Sequence, residues 1–217
     1  MSELILFILE LVGIAAFAAS GAMRALAKKM DIFGVATLGV ITAVGGGVIR
    51  DVVLGNTPPE TFRNPVYALV AVLVSVIIFI PAVRKVIFIK PVIYDMMMLV
   101  MDSVGLGIFT VVGIQSAYAV NAQSGMFLLV FVGMITGIGG GVIRDVLAGD
   151  TPYVFVKHFY ACASLIGSVV CVLFWRNFGQ DAAIIGGALV VVVLRLLAAK
   201  FHWSLPKADS DPQIKED

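Results

Sequence analysis

Seven stretches of apolar residues, each about long enough to cross a hydrocarbon core of roughly 30 Å, leave this chain few ways to fold. They run Leu4 to Met23, Ile32 to Leu54, Pro65 to Val83, Pro91 to Ile114, Gly125 to Leu147, Phe159 to Trp175 and Ala182 to Ala199. In lipid every backbone N–H and C=O must be satisfied internally, so each run is read as a helix. The short alternating segments of a membrane barrel are absent. With 60% hydrophobic and 13% charged residues, the 217-residue chain is far more apolar than a soluble domain requires. The expected fold is an all-α polytopic membrane protein with seven transmembrane helices. Met1-Ser2-Glu3 lacks a positive n-region, so the first run is expected to remain as a span. Residues Lys207 to Asp217 read as a disordered polar tail.

Net charge is only +1, but its distribution orients the chain. Arg24, Lys28, Lys29, Arg84, Lys85, Lys90, Arg144, Lys157, Lys200, Lys207 and Lys215 fall on one side, against Arg50, Arg63 and Arg176 on the other. The positive-inside rule then predicts an outside amino terminus and a cytoplasmic carboxyl terminus. Cys162 and Cys171 lie roughly 13 Å apart along one predicted helix, too far for a disulfide.

One seven-residue segment occurs twice, Gly45-Gly46-Gly47-Val48-Ile49-Arg50-Asp51 and Gly139-Gly140-Gly141-Val142-Ile143-Arg144-Asp145. Each copy precedes a turn-like Gly-polar-Thr-Pro, at Gly55–Pro58 and Gly149–Pro152. The repeat extends further. Glu10, Gly13, Phe17 and Gly21 match Asp102, Gly105, Phe109 and Gly113 at a displacement of 92, and Phe62 and Tyr67 match Phe155 and Tyr160 at 93. The chain therefore reads as two three-helix units, residues 1–90 and 91–178, then a seventh helix over 179–206 and the tail 207–217. Three is odd, so the second unit is expected to be inverted, a plan that recurs in transporters.

On a helix Thr42, Gly46 and Arg50 share a stripe, as do Thr136, Gly140 and Arg144, and small residues form a neighbouring stripe in each copy. Three glycines cost about 1 kcal/mol each relative to alanine, so the second and fifth spans are expected to break or kink at Gly45–Gly47 and Gly139–Gly141. A broken helix offers carbonyls and dipole ends to an ion. The same glycines also serve plain helix–helix packing, and Arg-Asp also serves as an interfacial end-cap. Neighbouring side chains diverge on a helix, so Arg50 need not pair with Asp51, and if the pair is buried partners elsewhere are expected.

Glu10, Asp95, Asp102 and Arg195 lie inside apolar runs, where ionisable groups are costly and functional by default. Glu10 and Asp102 occupy matching positions and serve either to attract cations or to neutralise Arg50, Arg144 or Arg195. Asp95, near a helix start, reads as a dipole partner. His158 and His202 fall at boundaries and define no metal site; the methionines read as packing or lipid-facing residues. Neither a phosphate loop nor a dinucleotide fingerprint is present, and no Ser-His-Asp set points to hydrolysis, so no enzyme is expected.

The duplicated triple-glycine Arg-Asp motif in a seven-span chain resembles the trimeric intracellular cation (TRIC) channels, in their prokaryotic branch, a family also labelled as glycine transporters. The likeness runs from Glu10 to Arg195-Leu196-Leu197-Ala198 and Trp203-Ser204-Leu205-Pro206. It implies a homotrimer in a prokaryotic inner membrane with one pore per protomer, permeable to potassium and less selectively to sodium. It also implies a pore lined or gated by Thr42, Gly45, Gly46, Gly47, Arg50, Asp51, Thr136, Gly139, Gly140, Gly141, Arg144 and Asp145, with Glu10, Asp102 and Arg195 as charge partners. No cofactor beyond the permeant ion is expected, bound lipid is compatible with this reading, and nucleic acid is not a partner. The Lys-Glu-Val lipid-binding motif of eukaryotic members is absent. The alternative is a secondary transporter of a small amino acid such as glycine, its carboxylate at half-helix amino ends and its ammonium on Glu10 or Asp102.

Overall fold

The structure, a computed structural model, describes residues 3–156 and 159–203, and the described residues form helices joined by turns. They run α1 (Glu3–Ala27), α2 (Ile32–Val53), α3 (Glu60–Arg63), α4 (Val66–Phe79), α5 (Pro81–Ile87), α6 (Pro91–Val120), α7 (Met126–Leu147), α8 (Tyr153–Val156), α9 (Tyr160–Phe178) and α10 (Gln180–Lys200). Among the described residues six are long and apolar enough to span a membrane, and α4 with α5, a pair bent by 77°, makes a seventh if it is taken as one span. The expected tail, Lys157 and His158 lie outside the described residues.

Local chemistry sets the boundaries. Asp31 caps α2 by accepting the Gly34 N–H at 2.8 Å. α2 and α7 end alike: Gly55 (φ 72°) and Gly149 (φ 70°) turn left-handed, and the next N–H returns to the Asp51 and Asp145 carbonyls at 2.8 and 2.9 Å. The third run, expected straight from Pro65 to Val83, instead breaks at Ile80. Pro81 excludes the helical region for the residue before it, and Ile80 sits at ψ 131°. α4 alone spans about 21 Å, short of a full bilayer core.

Packing follows the repeat. α1 lies on α2 and α4 as α6 lies on α7 and α9; α2 crosses α7 at the centre, and α10 closes the side formed by α6 and α9. Small residues at the contacts let backbones approach, the device that replaces hydrophobic burial between helices in lipid. Phe17 and Phe109, at matching repeat positions, meet at 5.3 Å between ring centroids. Each ring lies against the glycine of the other unit, Phe17 on Gly105 and Phe109 on Gly13. Outward faces such as Leu69, Leu73 and Ile77 on α4 and Leu189 and Val193 on α10 stay exposed and apolar, as a lipid-facing surface requires.

Candidate functional site at the crossing of the two glycine helices

The helical backbone of α2 and α7 runs unbroken through Gly45–Gly47 and Gly139–Gly141, so of the expected break or kink the break does not occur. The glycines are used for a close crossing instead. A Cβ on Gly46 would collide with the Thr136 carbonyl oxygen, and one on Gly140 with the Thr42 carbonyl oxygen. Gly45 lies against Ile143 and Gly139 against Ile49, the same exchange one residue earlier. Such reciprocity is what a two-fold relation between the units produces. Tertiary contact outweighs the helix-propensity cost of the glycines, because with side chains there the helices could not meet.

Thr42 and Thr136 are fully buried at this crossing, and their hydroxyls donate to Leu38 O and Val132 O at 2.6 Å each. Gly45, Gly46, Gly139, Gly140 and Gly141 are buried with them, whereas Gly47 is only partly covered. The Arg-Asp pairs sit at the carboxyl ends of the two helices and pair locally; Arg144 also takes the distant partner expected of it, whereas Arg50 does not. Arg50 Nε donates to Asp51 Oδ1 at 2.7 Å, and Arg144 Nε to Asp145 Oδ1 at 2.8 Å. Arginine is long enough to fold back onto the next residue, which the directions of the two Cβ atoms alone do not reveal. The other carboxylate oxygen, Oδ2, then accepts a loop N–H, from Glu60 for Asp51 and from Tyr153 for Asp145, both at 2.9 Å. Each Asp thereby ties its helix end to α3 or α8.

Beyond this shared frame the two ends differ. At the Arg144 end, Arg144 Nη1 also donates to Asp102 Oδ1 at 2.5 Å and to Ser20 Oγ at 3.0 Å. Arg195 Nη2 lies 3.9 Å from Asp102 Oδ2, and its guanidinium covers the Tyr160 ring at 4.6 Å. Arg144, Asp102 and Asp145 are 0% exposed. Two guanidiniums against two carboxylates make this cluster formally neutral, which desolvation demands. At the Arg50 end, Glu10 instead accepts a hydrogen bond from the Tyr67 hydroxyl, and Arg50 keeps Asp51 as its ion-pair partner. A small cavity of about 30 Å³, room for a water or a bare ion, lies there among Glu10, Arg50, Glu60, Thr61, Tyr67 and Gly47. One guanidinium faces three carboxylates, Glu10, Asp51 and Glu60, so this end is formally anionic.

The sequence pairing of Glu10 with Asp102 is met in position and not in partner: Asp102 neutralises arginines, whereas Glu10 faces a tyrosine and a cavity. Asp95 is exposed near the start of α6. Glu60, Tyr153 and Ser20 were missed by sequence reasoning. The signal for the first two was their match at a displacement of 93, beside the Phe62 and Phe155 pair already noticed. Among the described residues no group of His, Cys, Asp and Glu has a metal-holding arrangement.

A helical membrane protein of duplicated units, with charged residues buried where their glycine helices end, belongs to the class that handles ions or small solutes within the bilayer. The sequence profile of the family described as "Glycine transporter" matches residues 7–82 and 99–176, and the chain belongs to that family. It is 37% identical over 207 residues to the UPF0126 inner membrane protein YadS of Escherichia coli (strain K12), covering 94% of this chain and 96% of that one. The UPF0126 membrane protein YvgT of Bacillus subtilis (strain 168) is 33% identical over 92% of this chain and 94% of its own length. Among solved structures, the TRIC cation channel used to explain conductance has 38% identity and a TM-score of 0.82, covering 94% of this chain and 97% of that one. A prokaryotic TRIC channel crystallised in 0.5 M KCl has 33% identity and a TM-score of 0.84, covering 93% and 99%.

Proposed function

We propose that this protein is a passive cation channel, permeable to potassium and to sodium, with one pathway in each protomer of a homotrimer. The observation that carries the reading is likeness to TRIC cation channels over more than nine-tenths of the chain, at TM-scores of 0.82 and 0.84. The anionic cavity at Glu10 and Glu60 supports it, because a carboxylate-lined mouth raises the local concentration of cations. Its lining includes Ala43, Val44 and Gly47 of α2, which supports a pathway along the glycine helices. The reciprocal contacts between Gly46 and Thr136 and between Gly140 and Thr42 support two inverted units, residues 1–90 and 91–178, followed by a seventh helix. The basic residues at the Arg24 end favour that end as cytoplasmic, in a prokaryotic inner membrane.

Arg50 in a cation mouth acts as a brake on occupancy, held by Asp51. A second reading, a carrier of a small amino acid such as glycine, has one observation in its favour. The same cavity offers a guanidinium for a carboxylate and Glu10 or Glu60 for an ammonium. Purified protein in liposomes with a potassium gradient separates the two. A potassium diffusion potential reported by a voltage dye, without glycine and reduced in Glu10→Gln, is the expected result. Saturable uptake of labelled glycine with no ionic conductance would overturn the channel.

A further inference from the structure

Consecutive spans alternate in direction, so α2, α6 and α9 end at the same membrane face. There, away from both Arg-Asp pairs, a cavity of about 580 Å³ opens between the end of α6, the α6–α7 loop and the turn from α9 to α10. One wall is Tyr118 and Trp175, stacked at 4.6 Å between ring centroids and 19° between planes. Gln115, Gln123, Gln180 and Ser124 bring amides and a hydroxyl, and Arg176 brings the charge. Arg176 is exposed and has neither an ion pair nor a hydrogen bond among the described residues. An unengaged guanidinium beside amide donors suits a pair of phosphate oxygens. Among the described residues no carboxylate lines the cavity, and Asp181, next to Gln180 on α10, lies outside the lining. A ligand ammonium therefore finds no counter-charge there, and the two rings turn a face on each other.

The same seam continues into the membrane. On α6, Val104, Ile108, Val111, Gln115 and Tyr118 recur at spacings of four and three, which places them on one stripe. The last two line the polar cavity, and the first three line a second cavity of about 340 Å³ whose walls are all apolar side chains. On α10 the sequence is the same: Gln180 at the polar cavity, then Ile184, Ala188 and Val192 along the apolar one, at spacings of four. From Val104 to Gln115 the helix rises about 17 Å, close to half of a hydrocarbon core of roughly 30 Å. We infer that this seam binds one anionic glycerophospholipid of the leaflet at the Arg50 end. Its phosphate lies on Arg176 and the glutamine amides, and one acyl chain lies in the α6–α10 groove. The inference goes beyond the channel reading and does not rest on it. A soluble phosphate would use only the polar cavity, and a second copy of the chain in the groove would have no use for the guanidinium. A lipid accounts for both ends of one stripe, charge at the water and hydrocarbon one leaflet deep.

Trp203→Phe leaves Trp175 as the single tryptophan of the full chain, so its fluorescence reports occupancy of the seam. The purified protein in detergent is titrated with phosphatidylglycerol or phosphatidylcholine brominated in the upper acyl chain, and quenching gives the apparent affinity of each. Phosphatidylglycerol is expected to bind about fivefold more tightly, the worth of one basic side chain at a membrane surface, and Arg176→Gln should bring the two lipids level. Ala188→Leu fills the groove without touching the charge and should weaken both lipids about fourfold, the worth of one buried methylene. Arg176 is exposed and unpartnered, so its variant keeps the test decisive even where Ala188→Leu disturbs folding. Undiminished phosphatidylglycerol affinity in Arg176→Gln, or in folded Ala188→Leu, would overturn the site. Displacement of phosphatidylglycerol by millimolar inorganic phosphate, with Ala188→Leu behaving as wild type, would identify a soluble-anion site instead. A changed oligomer mass in Ala188→Leu at unchanged lipid affinity would assign the groove to a second copy of the chain, and would equally overturn the lipid.

Discussion

Replacing Gly46 with alanine, with Gly47→Ala as its partner experiment, isolates what the triple glycine is for. The two residues are neighbours in one motif and one helix, so propensity alone gives both substitutions the same stabilising sign, about 1 kcal/mol. Their surroundings differ. A Cβ on Gly46 runs into the Thr136 carbonyl oxygen, a backbone atom that cannot rotate aside, and relief requires α2 and α7 to separate. A Cβ on Gly47 meets nothing nearer than Arg50 Nη2 at 3.9 Å. Overpacking costs about 1–3 kcal/mol, and separating the crossing loosens Gly45 against Ile143 and Gly139 against Ile49 as well. Gly46→Ala is therefore expected to lie about 2–4 kcal/mol below Gly47→Ala. At about 2–4 °C per kcal/mol for a chain of this size, that is a gap in Tm of roughly 4–16 °C. Cys171, buried and free, supplies the assay: a thiol-reactive fluorophore reports its exposure on heating in detergent, in a Cys162→Ser background. Gly140→Ala, the reciprocal contact, should match Gly46→Ala. Equal melting of Gly46→Ala and Gly47→Ala would refute the crossing as the reason for the glycines.

Two further outcomes follow from the buried charges and the helix ends. Asp102→Asn leaves Arg144 fully buried with less compensation and should cost about 3–5 kcal/mol, whereas Glu10→Gln, at the matching position, keeps a partner for Tyr67 and should cost under about 1 kcal/mol; the same thermal assay ranks them. Gly149→Ala places a Cβ on a left-handed residue at φ 70° and should lower stability by about 1 kcal/mol, visible as faster hydrogen exchange at the end of α7.

The residues that were legible in sequence are those whose local environment has one solution. An apolar run in lipid must be a helix, so the spans could be read directly, and α1, α2, α7 and α10 match them within a few residues. Gly55 and Gly149 ahead of Thr-Pro end helices wherever they stand, because positive φ is cheap for glycine. Pro81 carried the signal for the α4–α5 bend, but apolarity on both sides concealed it. The repeat announced two equivalent carboxylates and two equivalent arginines.

Only the tertiary structure decided what those equivalents do. Glycine is compatible with a broken helix and with a tight crossing, and the choice depends on whether a second backbone lies within reach, as Thr136 O does at Gly46. Arg50 and Arg144 could each reach several partners. Which one each takes depends on angles between helices far apart in the chain, so Asp102 meets Arg144 while Glu10 meets Tyr67. The sequence by itself determined the spans, the turns and the duplication, since these follow from a segment and its solvent. The buried Arg144 end and the partly exposed Arg50 end were set by packing, because Tyr153 acquires its place only when α1, α7 and α8 bring Arg24 and Arg144 to 5.1 and 5.3 Å from the centre of one ring.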